Sequence, residues 1–316
     1  MKRIQYHRYG GLDEMRLEDV PLPQPGRGQV RVRIAAASTN PADGKIRAGM
    51  LRLVSGARFP RGLGHDFAGT VDAVGEGATR HKIGDAVYGI SGIRNAGAFA
   101  EYLVIAEKEV YAKPPSVSFE CAAALPMASV TAWSAVADRA KLKAGQTAFI
   151  TGCLGGLGRA AVQLALARGA TVAGNCSASG REEALALGVG EVADYRAFDP
   201  AAWRGRFDLV FDTAGALSLR QSRAMLRPGG VAVHAVFTPR KILASLFSPR
   251  HAIASGNPNP GRMAGIGAAA EQGKLVPKIG RIVPLSQAIA AIAEQETAGI
   301  PKGKLVIVTE PPKETP

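Results

Sequence analysis

Only three of the 316 residues are cysteine, and Cys121, Cys153 and Cys176 stand far apart with no CxxC spacing. A disulfide framework and a cysteine-rich zinc knuckle are both excluded. The five histidines, His7, His65, His81, His234 and His251, form no HxxxH or HxH pair, so the sequence offers no metal site. Aromatic residues are sparse at 6%. No apolar run approaches the roughly 20 residues that cross a bilayer, because Arg, Gly or Pro breaks each candidate. The opening MKRIQYHRYGG carries no apolar signal core. The expectation is a soluble, cytoplasmic protein without membrane insertion.

What is present is an apolar chain, 47% hydrophobic, with a formal net charge of +13. Such a composition excludes disorder, and at roughly 100–200 residues per domain the length suggests two domains. The charge is spread out: residues 119–274 hold 17 basic and 10 acidic side chains, and the remainder 22 and 16. A nucleic-acid-binding tail or Lys/Arg block would be concentrated, and none exists. Nucleic acid is therefore disfavoured as a partner. Arg47, Arg52, Arg58 and Arg61 do cluster locally, either as a solvated loop or as a selector for an acidic substrate or partner.

The N-terminal third reads as short strands punctuated by Gly and Pro. QVRVRIAAAS (29–38) alternates apolar and basic residues, and FAGTVDAVGEG (67–77) and DAVYGI (85–90) follow. From about Ser118 the pattern changes. An Ala-rich helical stretch (119–140) precedes alternating strands and helices: TAFITG (147–152), GLGRAAVQLALARG (156–169), TVAGNC (171–176), REEALALG (181–188), EVADY (191–195), FDLVFDTAG (207–215) and GVAVHAV (230–236). This alternation predicts βαβ units and a parallel sheet covered on both faces. A helix at 286–296 and the strand GKLVIV (303–308) most easily rejoin the first region.

The strand TAFITG runs into CLGGLG (153–158), which opens a helix, and that context is what a dinucleotide fingerprint requires. Gly155 and Gly156 let the backbone approach a pyrophosphate, Leu157 lies in the same turn, and Gly158 allows close helix–strand packing. The helix start offers free N–H groups to the anion. Cys153 stands where the first Gly of GxGxxG belongs, which is tolerable if that turn keeps an ordinary backbone conformation. At the end of the second strand an NAD-binding fold places a carboxylate, whereas this chain has Asn175-Cys176-Ser177. With no acid to repel a 2′-phosphate and with Ser177, Ser179 and Arg181 nearby, the cofactor expected is NADPH. Tyr195 and Arg196 are candidates to close the same pocket.

STNPADGKIRAG (38–49), GLGHDFAGTVDAVGEG (62–77), IGDAVYGI (83–90), ALPMASVTAW (124–133), the glycine-turn segment (151–170), GVGEVADYR (188–196) and KGKLVIV (302–308) occur in a telling order. Together they resemble the zinc-independent, zeta-crystallin-like quinone oxidoreductase branch of the medium-chain dehydrogenase/reductase superfamily, over nearly the whole chain. The resemblance implies an α/β protein in which a GroES-like β-rich catalytic domain (1–118 and 275–316) flanks a Rossmann domain (119–274) with a doubly wound parallel sheet. It also implies a homodimer and hydride transfer from NADPH to a quinone or the C=C bond of an α,β-unsaturated carbonyl.

Zinc alcohol dehydrogenases, the competing branch, hold their metal with a Cys near the place of Ser38, a His-Glu pair and a further Cys or acid. Here Ser38 and His65-Asp66 stand instead, and residues 91–113 contain no Cys for a structural lobe. By the resemblance Asn40 and Thr131 lie near the nicotinamide and its ribose, Phe237 flanks the ring, and Lys304 is a further cofactor contact. Asp43 and Lys45 belong to the substrate cleft; Lys45 either polarises a carbonyl oxygen or pairs with Asp43 at the surface. Ile46 and Met50 replace aromatics common in quinone reductases of the branch, which brings the Lys45 motif closer to alkenal/one reductases. The alternative within the same resemblance is a low-turnover structural or RNA-binding protein of the crystallin type.

Overall fold

The computed structural model describes residues 1–254, 256–298 and 303–309, and the chain divides into two compact units. The first takes Met1–Met127, Pro258–Met263 and Pro277–Pro316; the second takes Ala128–Asn257 and Ala264–Val276.

The first unit opens with β1 (Lys2–Tyr6), which pairs antiparallel with β2 (Arg16–Asp19). Strand β3 (Gln29–Ser38) is its spine. Val30, Val32 and Ile34 are fully buried while Arg33 points to solvent, so the anticipated alternation holds; Arg31 is drawn inward by a bidentate pair with Asp72, at 2.9 and 3.0 Å. The chain then turns through α1 (Pro41–Arg47) and α2 (Arg52–Ser55), touches β1 with the short β4 (Arg61–Gly62), and forms β5 (Asp66–Val74), β6 (Ala86–Ile90), β7 (Tyr102–Ala106) and β8 (Val110–Ala112). Phe67 and Val71 of β5, Val87 of β6 and the loop residue Phe99 pack with β3 into one core. The Ala-rich stretch resolves into α3 (Phe119–Ala124), capped by Ser118 Oγ accepting from Cys121 N–H, and α4 (Pro126–Trp133), with Pro126 at the break.

In the second unit β9 (Thr147–Ile150) leads through the glycine turn into α5 (Gly156–Ala167), whose Ala160, Ala161, Leu164 and Ala165 are buried. Then come β10 (Thr171–Cys176), α6 (Arg181–Ala186), β11 (Glu191–Asp194), β12 (Phe207–Asp212), α7 (Leu219–Met225), β13 (Leu226–His234), α8 (Pro239–Phe247), β14 (His251–Ile253) and α9 (Pro260–Glu271), which belongs to this unit from Ala264 on. The six strands are all parallel in the order β11-β10-β9-β12-β13-β14, the doubly wound dinucleotide-binding order. The sequence pattern shows five of them. Strand β14 is only three residues long, too short to register as a period, and only its partner β13 makes it visible. Four of the sparse aromatics gather under this sheet, where Phe149, Phe198, Trp203 and Phe207 make stacked, tilted and edge contacts.

The chain end returns as β15 (Ile279–Pro284), α10 (Ala288–Ala298) and β16 (Lys304–Val308). Strand β16 pairs antiparallel with β3 and parallel with β15, completing the sheet order β15-β16-β3-β5-β6-β8, with β7 on the other segment of β3. The architecture is thus a sheet-rich GroES-like unit and a parallel-sheet Rossmann-like unit. No helix is long and apolar enough to cross a membrane among the described residues.

Candidate active site

The polar core of the first unit is assembled where β3 hands over to α1. Ser38 ends the strand, Asn40 precedes the helix in an extended conformation, and Pro41 occupies the first helical position, where its missing N–H costs nothing. Asp43, one turn in, accepts the Asn40 backbone N–H at 2.7 Å through Oδ2 and meets His65 Nδ1 at 2.6 Å through Oδ1. The helix therefore turns Asp43 inward, and Lys45, exposed on the other side, has no partner among the described residues. An Asp43–Lys45 pair is not formed. His65 is buried, and its Nε2 has no hydrogen-bond partner among the described residues.

Asp66 is fully buried beside this pair. Its Oδ2 accepts from Asn40 Nδ2 at 3.0 Å and from Lys304 Nζ at 3.1 Å, and its Oδ1 accepts the Met127 N–H at 3.0 Å. Lys304 Nζ also donates to Asn40 Oδ1 at 3.1 Å. Burial pushes the Asp66 carboxyl above the ordinary carboxylate range, while the Lys304 charge and the Asn40 hydrogen bond pull the other way. Of the residues singled out in the sequence, Asn40, Asp43 and Lys304 come together here. The linking groups His65 and Asp66 emerge as their partners, a role that sequence spacing does not carry.

A zinc ion does not fit this donor set. Ser38 donates its hydroxyl to the Ala123 carbonyl at 2.9 Å, the Asp66 carboxylate is already neutralised by an ammonium, and no group of three or more His, Cys, Asp or Glu side chains converges among the described residues.

In the second unit the glycine turn explains how Cys153 is tolerated. The residue with positive φ is Gly152, at +57°, and Lys141 is the one non-glycine residue with positive φ among the described residues, so Cys153 keeps an ordinary backbone. Its side chain fills the space over Gly174, where an added Cβ would lie 2.9 Å from the Cys153 Cβ. Burial pushes the Cys153 thiol up to about 12, which leaves it an inert filler. A Cβ on Gly158 would stand 2.1 Å from the Gly152 carbonyl oxygen, so helix and turn can approach only because no side chain is there. Asn175 is buried and holds the turn, its Oδ1 accepting the Gly152 N–H at 2.8 Å and its carbonyl the Cys153 N–H at 3.0 Å. Gly155, Gly156 and Leu157 then present the first turn of α5, whose N–H groups lack intrahelical acceptors. This close backbone cradle fits the pyrophosphate of a dinucleotide.

Strands β10 and β11 end side by side, Cys176 opposite Asp194, so the residues that follow each strand share one edge. Ser177 and Ser179 face each other, hydroxyl to hydroxyl at 3.2 Å. Arg181 is exposed at the start of α6 and spends one N–H on the Val192 carbonyl. Tyr195 is exposed with the Arg196 guanidinium 5.0 Å from its ring centre. Asp194, unnoticed in the sequence, accepts the Arg196 N–H at 3.1 Å. Thr131 sits on α4, its Oγ1 3.5 Å from where a Gly256 Cβ would be, and Phe237 is exposed beyond the end of β13.

Residues 26–115 match the alcohol dehydrogenase GroES-like domain, and residues 187–307 match the zinc-binding dehydrogenase domain. A quinone-oxidoreductase homolog, chloroplastic, from Spinacia oleracea is 38% identical over 202 residues, which is 62% of this chain and 61% of the relative. The NADPH-dependent alkenal/one oxidoreductase, chloroplastic, of Arabidopsis thaliana is 31% identical over 250 residues, 76% of this chain and 64% of the relative. The match thus spans somewhat less than two thirds of either curated protein. The solved structure of the quinone oxidoreductase from Coxiella burnetii superimposes with a TM-score of 0.88 at 31% identity, covering 98% of this chain and 99% of that one. With its sheet-rich GroES-like unit, its parallel-sheet unit and these matches, the chain belongs to the quinone oxidoreductase branch of the medium-chain dehydrogenase/reductase superfamily, a nicotinamide-dependent family.

Proposed function

We propose that the protein is an NADPH-dependent, metal-free reductase that delivers hydride to quinones or to the β-carbon of α,β-unsaturated carbonyls. The observation that carries this reading is the donor set of the first unit, in which an ammonium neutralises Asp66 and, among the described residues, no soft third ligand is available for a metal-assisted alcohol oxidation. The bound nicotinamide supplies the hydride. The chain's own residues hold and orient. Gly155, Gly156, Leu157 and Gly158 cradle the pyrophosphate. Ser177, Arg181 and Tyr195 take the 2′-phosphate side, supported by the exposed Arg181 guanidinium and by the end of β10, which carries no acid, while Asp194 at the end of β11 accepts the Arg196 N–H. Asn40, Thr131, Phe237 and Lys304 position the ring and ribose; for Asn40 and Lys304 the support is their mutual bond and shared anchor on Asp66.

Lys45, exposed and without a partner among the described residues, stabilises the oxygen of the enolate that forms as hydride adds to the β-carbon. Asp43 keeps α1 in register so that Lys45 stays on the outer face. The α-carbon then takes a proton from water. Cytoplasmic location and a homodimer belong to the same proposal, the latter supported by β14, an edge strand with one partner among the described residues.

The test is spectrophotometric: purified protein with NADPH or NADH and a panel of quinones and enones, before and after dialysis against EDTA. Faster oxidation of NADPH than NADH, unaffected by EDTA, is expected. Absence of oxidation with every acceptor overturns the reading.

A further inference from the structure

The first unit carries a cavity of about 980 Å³ whose described walls include Arg3, Arg58, Arg61, Arg94 and Lys108 but only one carboxylate, Glu109. Four other arginines of this unit do pair with acids: Arg8 with Glu14, Arg31 with Asp72, Arg47 with Glu296 and Arg281 with Glu294. Around the cavity none of the four guanidiniums has a carboxylate partner among the described residues.

Two of them are built into the wall. Arg61 is 7% exposed and is held entirely by neutral oxygens: Nε donates to Tyr6 Oη at 3.1 Å, Nη1 to the Ser55 and Gly56 carbonyls at 2.6 and 3.1 Å, and Nη2 to the Ile93 carbonyl at 3.2 Å. Arg3 lies over Gly62 and Gly97, where an added Cβ would come within 2.3 and 3.3 Å of its Nη2. Among the described residues its Nε is buried without a partner, and its one side-chain hydrogen bond is a long 3.4 Å contact from Nη2 to the Ala96 carbonyl. Burial lowers the Arg3 pKa, with no neighbouring acid to restore it. Arg58 and Arg94 complete the rim. Both are exposed; Arg94 donates Nε to the Val54 carbonyl at 3.0 Å, and Arg58 has no partner among the described residues. Burial raises the Glu109 carboxyl, with Lys108 opposing, which weakens the one negative charge present.

Desolvated guanidiniums without counterions, as at Arg3 and Arg61, are costly, and the exposed Arg58, Arg94 and Lys108 around the same space add like charge that repels them. A ligand carrying several negative charges on oxygens that accept paired N–H groups removes both costs at once. A monocarboxylate would neutralise only one of the five. The volume also lies at the upper end of the range for small-molecule sites. We propose that this cavity binds a small molecule bearing two or more linked phosphate groups, at a site separate from the dinucleotide loop. Arg3 and Arg61 form its floor, and Arg58 and Arg94 its clamp. The Arg58 and Arg61 half of the arginine cluster noticed in the sequence thereby acquires a role, whereas Arg47 is consumed by Glu296.

The test uses tripolyphosphate as probe, titrated calorimetrically into the intact protein in the presence of one equivalent of NADPH, at fixed ionic strength. Saturable one-to-one binding is expected. It should weaken at least tenfold in the R58Q/R94Q double variant, whose substitutions are on the surface and leave NADPH oxidation unchanged, and in R3Q. Equal affinity of R58Q/R94Q and wild type overturns the proposal. So does a failure of tripolyphosphate to saturate at millimolar concentration, or binding of a single-stranded RNA that depends on these arginines when tripolyphosphate does not bind.

Discussion

Lys304 and Asp66 show how much one residue's meaning depends on its neighbours. The lysine is a terminal-strand residue in a GK pair, yet its ammonium is buried between Asn40 and a carboxylate with no solvent exposure. Removing one partner of such a pair leaves an uncompensated buried charge. Lys304→Met is expected to lower stability by about 3 kcal/mol, and adding Asp66→Asn should recover a good part of it. Urea unfolding of the two variants and wild type measures both. Lys45 should behave oppositely, because nothing in the fold rests on it. Lys45→Met is expected to leave the melting temperature unchanged while kcat on an enone falls roughly a hundredfold, the scale of a lost oxyanion donor. Arg181→Ala should raise the KM for NADPH roughly tenfold, the scale of a lost charge-assisted hydrogen bond, with the KM for NADH little altered. A parallel rise for both cofactors would count against a 2′-phosphate role.

At the scale of elements, the glycine turn was readable because its chemistry is backbone chemistry. A strand, three close glycines and a helix in that order leave few alternatives, and the structure places β9, the turn and α5 as expected. What the string could not show was the compensation around it: the positive φ sits on Gly152, and Cys153 fits because residue 174 has no side chain. Gly158→Ala should clash with the Gly152 carbonyl and cost about 3 kcal/mol, with cofactor affinity reduced as well. A melting curve with and without NADPH separates the two effects. The cluster at the start of α1 was only half legible. Asn40 and Asp43 stand in one short motif, but His65, Asp66 and Lys304 reach them from β16 and from the start of β5, and antiparallel pairing of β3 with both strands is what gathers them.

Over the whole molecule, the second unit contains a further buried polar network that affects its pH response. Desolvation raises the Asp212 carboxyl, but His234, Lys241 at 2.7 Å and the Leu217 N–H outweigh it, so its pKa is lowered. His251, 3.2 Å from His234, is lowered to about 4 by burial first and then by His234, Arg223 and Arg250. Between pH 4 and about 6.5 the unfolded chain therefore binds the proton that folded His251 refuses, and stability rises with pH across that window. Asp212 acts in the same direction at the acid end, its contribution being lost as pH falls through its lowered pKa. Asp66 and Glu109, both raised, oppose this, since their contribution fades as pH rises through the folded value. Acidification from pH 7 to 4.5 is expected to destabilise the protein, with His251 contributing on the order of 2 kcal/mol. A His251→Gln variant should show a shallower slope in urea unfolding across that range.

The sequence by itself determined the class of fold, the strand–glycine turn–helix order and the family. Periodicity, glycine spacing and residue order are local properties that survive in one dimension. The tertiary structure alone decided which charges are paired. It set Lys304 on Asp66, Arg47 on Glu296 and Asp43 on His65, and it left Lys45 and the cavity arginines without acids among the described residues. The Lys304 and Glu296 pairs form only after the chain has returned from its second unit, and the Asp43–His65 pair only once α1 and the start of β5 are packed together. The +13 of the sequence, evenly spread along the chain, is unevenly compensated in space. Electrostatic meaning lies in the distances between charges, and a sequence does not contain them.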